Sequence, residues 1–396
     1  MIQPKDLFAS PNAIAGDYTR FRVSEPMLLT GHSHQAWPDA AFEGVMECFK
    51  DSANLVDDKW PNAFAKADAV RAGYARLLHD EPGNIALAEN THELVIKFLS
   101  ALPLQKRRRI VTTDGEYHSV RRQLDRLAEE GIIELVKVPA APLDDLADRL
   151  ASNVSEATAA VTVSSVLFRT GQIVPNLTHL AQVCAARGAE LLIDAYHQVN
   201  VVPFDPRGLE NAFVTGAGYK YVQAGEGNAF LRLPPGRAMR PVITGWFAEF
   251  ATKEQPVSAG VQYAPGGMRF AGATYDPTAN YRAAAVFEYF ENKKLTPELL
   301  RDVSQHQVGL IMKYFDDLDL PEAIVTRDRS VALEGTAGFV VFKSPQAGEL
   351  CKLLHDAGVY TDYRAEALRF GPAPYLSDAQ IEEAMRGLAR VVRGMK

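Results

Sequence analysis

A carboxylate, Asp194, closes the apolar run Leu191-Leu192-Ile193, and a lysine, Lys220, follows in Gly216-Ala217-Gly218-Tyr219-Lys220-Tyr221. An amine can hold an aldehyde as an imine, and a carboxylate can keep a ring nitrogen protonated so that the ring absorbs electrons. Those are the two groups that pyridoxal 5'-phosphate needs from a protein. A lysine free in water has a pKa of about 10.4 and is a poor nucleophile, so one used in this way must be desolvated or set near positive charge. The neighbours Phe213-Val214 and Tyr219 with Tyr221 predict such a half-buried setting. Taken singly, Asp194 also reads as a turn cap and Lys220 as a surface charge. The other stations decide between the readings.

Asn90-Thr91-His92-Glu93 opens a helix whose apolar face is Leu94, Val95, Phe98 and Leu102. The segment reads as an N-cap and also as a seat for a phosphate, which gains free N–H groups and the positive end of the helix dipole there. Glu116-Tyr117-His118-Ser119 follows the strand-like Ile110-Val111 and would lay a flat side chain over a heterocycle; a capped helix start explains it equally well. Ser165 to Gly171 ends another apolar run with Phe168-Arg169-Thr170-Gly171, a sequence that also suits a plain turn. His32 and His34 lie two apart, but no third ligand completes a metal site near them. Gly225-Glu226-Gly227 lacks both the third glycine of a dinucleotide loop and the Lys-Ser/Thr of a P-loop, so nicotinamide and ATP find no support.

These stations need a scaffold that brings loops together. From about residue 60 to 245, strand-like runs at 85–88, 109–112, 133–136, 160–163, 190–193, 212–214 and 229–231 alternate with helical patterns at 94–102, 119–130, 143–151 and 177–187. That alternation predicts an α/β fold with a mostly parallel sheet covered by helices, its ligand at the carboxyl ends of the strands. After Pro277 the pattern changes to long helices at 279–291 and 296–317, short strands near 323–325, 336–342 and 359–363, and a closing helix at 377–396. We expect a large cofactor-binding domain over 54–285 and a smaller α+β domain built from 1–53 and 286–396.

Composition bounds the rest. A chain of 396 residues with 47% hydrophobic and 23% charged residues is an ordinary globular protein. Its net charge of −7 argues against nucleic acid as a partner; the one basic run, Lys106 to Arg109, reads as a solvated loop at a strand entry. Cys48, Cys184 and Cys351 form no disulfide framework and no metal spacing, which fits a reducing compartment and an expected cytoplasmic location. The N-terminus lacks the apolar core of a signal peptide, and no stretch approaches a membrane span.

In this order the stations resemble the aminotransferase class V group of pyridoxal-phosphate enzymes, which have fold type I, and kynureninase most of all. The resemblance spans about residues 28–376. Asp194-Ala195-Tyr196-His197 and Gly218-Tyr219-Lys220-Tyr221 look like the family's Asp-x-x-His and Tyr-Lys-Tyr. The likeness implies that Lys220 binds the cofactor aldehyde, that Asp194 pairs with the ring nitrogen, and that His197 and Tyr219 line the ring, with Tyr219 also assisting proton movement. Thr91 and His92 match the phosphate-binding pair, Tyr117 the ring-stacking aromatic, and Ser165 a ring-facing polar position. Gly245-Trp246-Phe247 resembles a segment whose tryptophan approaches the phosphate, and Thr274 looks like a phosphate-contacting threonine. Arg369 matches the arginine that grips a substrate carboxylate, a task suited to a planar guanidinium. His32 and His34 fall on the substrate side. The likeness also implies a homodimer acting on a small-molecule amino-acid substrate.

Departures gather on the substrate side. Gly31-His32-Ser33-His34-Gln35 replaces a Gly-Asn-Ser-Leu-Gly, the histidine expected in 54–60 is missing, Val120 stands for an aspartate, and Phe247-Ala248-Glu249 lacks a Gly-His. An asparagine expected near Gly272-Ala273-Thr274 is absent as well. The expected reaction is kynureninase-like hydrolysis of a Cβ–Cγ bond. A class V aminotransferase, another pyridoxal-phosphate lyase and a ligand-binding protein that merely keeps the fold stand as alternatives. Desulfuration is disfavoured, because no cysteine lies in 363–368.

Overall fold

The computed structural model describes residues 2–252 and 260–395. Its centre is a seven-stranded sheet made of β1 (Ile85–Ala88), β2 (Arg109–Thr113), β3 (Glu134–Val138), β4 (Thr158–Ser164), β5 (Glu190–Asp194), β6 (Ala212–Ala217) and β7 (Ala229–Arg232). The spatial order is β1-β7-β6-β5-β4-β2-β3. β7 runs antiparallel to both of its neighbours, and every other pairing is parallel. All seven strands lie where the apolar runs place them.

The strands read as nearly continuous apolar runs because both faces of the sheet are buried. Val111, Val161, Leu191, Ile193 and Val214 point into one core, while Ile110, Ala160, Leu192 and Phe213, one residue away in each strand, point into another. Helices α1 (Ala40–Leu55), α2 (Trp60–Leu78), α3 (Thr91–Ala101), α4 (His118–Glu129), α5 (Leu146–Ser152) and α6 (Leu177–Ala186) precede or alternate with the strands. α3 and α4 close the second core through Leu94, Val95, Phe98, Val120 and Leu124. The first core continues through α7 (Thr278–Lys293) and α8 (Pro297–Asp317) into the C-terminal part.

That part holds an antiparallel sheet of β8 (Thr326–Arg327), β9 (Val340–Lys343), β10 (Asp362–Arg364) and β11 (Ala367–Phe370), in the order β10-β11-β9-β8, with α9 (Ala347–Asp356) and α10 (Asp378–Gly394). The expected strand near 323–325 is displaced to 326–327, and β11 was not anticipated. Met27–Leu28 pairs in parallel with Val359–Tyr360 as a separate two-stranded sheet, which ties the segment before α1 to the C-terminal part. No helix among the described residues is long and apolar enough to cross a membrane.

One ion pair pins the sheet's β1 side. Arg232 on β7 bonds Asp80 through Nε, both side chains nearly fully buried, and its Nη1 donates to the carbonyls of Glu210 at 2.9 Å and Ala212 at 2.7 Å. Removing one partner strands a charge in the interior. Asp80→Ala is therefore expected to lower stability by about 3–5 kcal/mol, read as a fall in the urea midpoint at unchanged m-value. A loss within experimental error would show that water reaches Arg232.

Candidate active site

Five loops leave the carboxyl ends of the parallel strands β1, β2, β4, β5 and β6, and they carry Thr91, Tyr117, Ser165, His197 and Lys220. The strand order reverses between β2 and β4, since the chain moves one way from β2 to β3 and the other way from β4 to β6. Such a switch point opens a crevice for ligand.

Lys220 lies at the centre of this crevice, 7% exposed. Its Nζ is 2.7 Å from His197 Nε2, 5.2 Å from the Tyr196 ring centre, and 5.8 Å from those of Tyr117 and Tyr219. Burial, followed by the Arg369 charge, pulls the amine down to about 7 against the attraction of Asp194. Burial and then Lys220 push the His197 imidazole well below its ordinary value, so the ring is neutral. A neutral imidazole with its proton on Nδ1 offers Nε2 as the acceptor for Lys220.

The neutral amine is the form that attacks an aldehyde. Capture of pyridoxal phosphate by the apo-protein should accelerate as pH rises through about 7 and level off above it, far below the 10.5 of an unperturbed lysine. Stopped-flow absorbance across neutral pH reads this directly, and a rate still climbing near the free-lysine value would contradict it. The sign carries over to stability. The unfolded chain binds more protons than the folded one between about 7 and 10.5, so Lys220 makes the apo-protein firmer as pH rises through that window.

Asp194 ends β5 at the bottom of the crevice, opposite Ser164 on β4 and Thr215 on β6. Its Oδ1 accepts from the Tyr196 N–H at 3.0 Å, and among the described residues no donor meets Oδ2. Burial raises its pKa, offset by the Tyr196 N–H and by Lys220. Ser165 Oγ donates to the Asp194 carbonyl at 3.3 Å. Thr91 Oγ1 donates to the Gly216 carbonyl at 3.4 Å and also reaches the Tyr196 side chain; Asn90 caps the helix by accepting from Glu93 N at 3.0 Å. A buried carboxylate with an open oxygen, a desolvated amine and a helix N-terminus fit the ring nitrogen, aldehyde and phosphate of pyridoxal phosphate.

Other expected positions lie further out. His92 is exposed on α3, and His34 is exposed with its ring stacked on Tyr219 at 4.8 Å. His32 is fully buried and touches Asp362 through Nε2 at 2.7 Å. Trp246 is about half-exposed with its ring centre 4.2 Å from that of Phe247, and Thr274 lines a cavity of about 300 Å³ with Arg71 and Asn280 that reaches Glu89 and Glu93 at the start of α3. Arg369 is buried beside the Lys220 crevice, its Nη1 donating to the Phe168 carbonyl at 3.0 Å.

Sequence reasoning missed two carboxyls. Asp362 accepts from Arg369 Nε at 2.8 Å and is held well below the usual carboxylate range: burial works to raise it, but His32 and Arg369 outweigh that. Glu116 is buried, accepts from Thr113 Oγ1 at 2.7 Å and Ser164 Oγ at 2.6 Å, and is pushed up to about 7, by burial first. Among the described residues no three metal-ligating side chains cluster.

The model of the aminotransferase class-V family matches residues 55–362. The chain belongs to that family. Membership makes pyridoxal 5'-phosphate the cofactor and an amino acid the substrate. A kynureninase of Deinococcus radiodurans is 26% identical over 338 residues, covering 83% of this chain and 78% of that one. The uncharacterized aminotransferase YcbU of Bacillus subtilis is 21% identical over 367 residues, 91% and 93% of the two chains, while the isopenicillin N epimerase of Streptomyces clavuligerus is 29% identical over only 46% of each. Among solved structures, a C-DES mutant with glycine covalently linked to its PLP cofactor superposes with a TM-score of 0.83 at 18% identity, over 94% of this chain and 98% of that one. A cysteine desulfurase from Thermococcus onnurineus NA1 gives 0.81 at 19% identity, over 100% and 99%. These solved structures share this chain's fold, the fold type I architecture.

Proposed function

We propose that this enzyme hydrolyses the Cβ–Cγ bond of an amino acid that bears a γ-carbonyl, as kynureninases do. The observation that carries the reading is the 338-residue similarity to a kynureninase combined with the buried Lys220–His197 contact beside Arg369. Pyridoxal phosphate, when bound, supplies a cationic ring that takes up the electron pair of a bond broken at the α-carbon. The protein's own residues do the rest. Arg369 holds the substrate carboxylate through N–H groups not engaged by Asp362 and Phe168, which fixes the orientation of the α-carbon. Asp194 keeps a proton on the ring nitrogen with its open carboxylate oxygen. Lys220, neutral near pH 7 once freed, accepts the α-proton at Nζ, and His197 Nε2 steers that amine by accepting its hydrogen bond. Burial pushes the Tyr219 hydroxyl up to about 12, so it stays protonated and serves as a donor.

The fold neighbours named for desulfuration do not move this reading. Residues 363–368 hold no cysteine, and Cys351 sits on α9 with Sγ bonded to the Thr361 carbonyl at 3.4 Å. A homodimer belongs to the proposal: Phe49, Val56, Val242 and Trp246 are exposed apolar side chains that a second copy of the chain would cover. Sedimentation showing a single-chain species would remove that part. Incubation with kynurenine or 3-hydroxykynurenine tests the reaction: alanine with an anthranilate supports hydrolysis, whereas a keto acid shows transamination and displaces it.

A further inference from the structure

The hairpin of β10 and β11 gathers three charged residues. Its register sets Asp362 opposite Arg369, and Arg364, two residues beyond Asp362, projects to the same side. One carboxylate then serves three partners: Arg369 through Nε at 2.8 Å and through Nη2, His32 through Nε2 at 2.7 Å, and Arg364 through Nη1 at 3.6 Å. Burial drives His32 down to about 4 in spite of Asp362, so its ring is neutral at pH 7. Two permanent cations thus share a single anion, and one positive charge is left over. That surplus suits a substrate α-carboxylate. With Nε and Nη2 turned to Asp362 and Nη1 bonded to the Phe168 carbonyl, one N–H on each Nη of Arg369 has no partner among the described residues.

Positive charge continues outward beyond what an α-carboxylate requires. The Tyr117 ring, 5.8 Å from Lys220 Nζ, packs edge-on against Phe168 at 5.4 Å, and Arg169 Cζ lies 5.6 Å from the Phe168 ring. The His118 ring, 5.5 Å from both Tyr117 and Phe168, completes the wall, with its Nδ1 buried and unpartnered. Burial first, and then the charges of Arg121, Arg122, Arg169 and Arg364, on α4, the loop after β4 and the hairpin, lower the His118 pKa. Arg121 is matched by Asp125 at 3.0 Å. Among the described residues neither Arg122 nor Arg169 has a carboxylate partner. In a chain of net charge −7, this cation surplus beside the amine asks for an anion from the ligand.

We propose that the substrate carries a second acidic group on its side chain, its α-carboxylate held by Arg369 and the distal acid received by Arg364 and Arg169 beside His118. An arylamine side chain, neutral at pH 7, would bring no anion to Arg169 and leave Arg364 only its share of Asp362. The proposal rests on Lys220 as the cofactor lysine and narrows the substrate class of that site.

The test follows the visible absorbance of the holo-protein at low ionic strength during titration with L-glutamate, L-glutamine, L-aspartate, L-asparagine and L-kynurenine. Each acid should perturb the band at about tenfold lower concentration than its amide, the worth of one charge-assisted hydrogen bond, and added salt should narrow the gap. R169Q, at an exposed position, should lower the acid-to-amide ratio part-way, and R169Q/R364Q should bring it toward one. Equal responses to acids and amides, or a tighter response to kynurenine than to either acid, overturn the proposal. So does a ratio that survives the double substitution while the band is intact. A protein with no band in excess pyridoxal phosphate fails at Lys220 instead, and the reading beneath the proposal falls with it.

Discussion

Lys220→Ala is expected to give a folded protein that takes up no borohydride-stable label and turns over an amino-acid substrate about 10²–10⁴ times more slowly, the span that one positioned proton-transfer group contributes. The reasoning is local. Nζ is the amine among Tyr117, Tyr196 and Tyr219, and desolvation leaves it neutral near pH 7, so aldehyde capture and acceptance of a proton converge on one atom. Folding should survive, because what the substitution removes is a buried amine that costs stability when protonated, and Tyr221 and Gly218 on either side keep their packing. Peptide mass mapping after borohydride reduction of the wild type should find the added mass on residue 220 alone. A label elsewhere, or full activity in the variant, would remove Lys220 from the chemistry.

Much of this geometry was legible before any coordinates, and the parts that were not share a cause. The seven central strands announce themselves because a sheet buried on two faces writes uninterrupted apolar runs. Helices α1 and α2 went unread for the opposite reason. The inward positions of α1 are Ala41, Gly44 and Cys48, and those of α2 mix Ala63, Ala67, Gly73 and Ala75 with Val70, Tyr74 and Leu78, so small residues interrupt the apolar rhythm of both. They are small because α7 lies so close: a Cβ on Gly44 would stand 2.6 Å from the Tyr281 carbonyl oxygen, and one on Gly73 would stand 2.4 Å from the Phe287 ring. Propensity and pattern cannot disclose a contact whose signal is the absence of a side chain.

The same limit hid Asp362. Its partnership with Arg369 is a cross-strand register, and without β11 in view a separation of seven along the chain means nothing. Glu116 stands beside Tyr117 in sequence, yet its raised pKa comes from burial first and then from Asp194, working against the Ser164 and Thr113 hydrogen bonds, and neither cause is local in sequence. Asp194, His197 and Lys220 were readable because local sequence fixes the strand ends on which they sit, and parallel strands carry those ends to one edge.

Asp194→Asn, nearly isosteric, separates the two demands placed on this carboxylate. In the apo-protein its pKa is raised, by burial above all, so the stability it contributes is present in acid and lost as pH rises through the folded value. The asparagine variant has no such loss, and its apo form should melt at a higher temperature than wild type at neutral pH. With cofactor the order should reverse, because the anion that holds a proton on the ring nitrogen is gone. A neighbouring opposite charge shifts a pKa by 1–3 units, so the protonated-ring population, and kcat with it, should fall by about 10- to 1000-fold. Calorimetry on apo and loaded protein, with the pH dependence of the cofactor band, reads both effects. An asparagine variant that is less stable without cofactor and yet fully active with it would mean that Asp194 serves the fold and not the ring. The opposite pattern would mean that this buried charge is kept at a cost to stability for the electrons it helps the cofactor absorb.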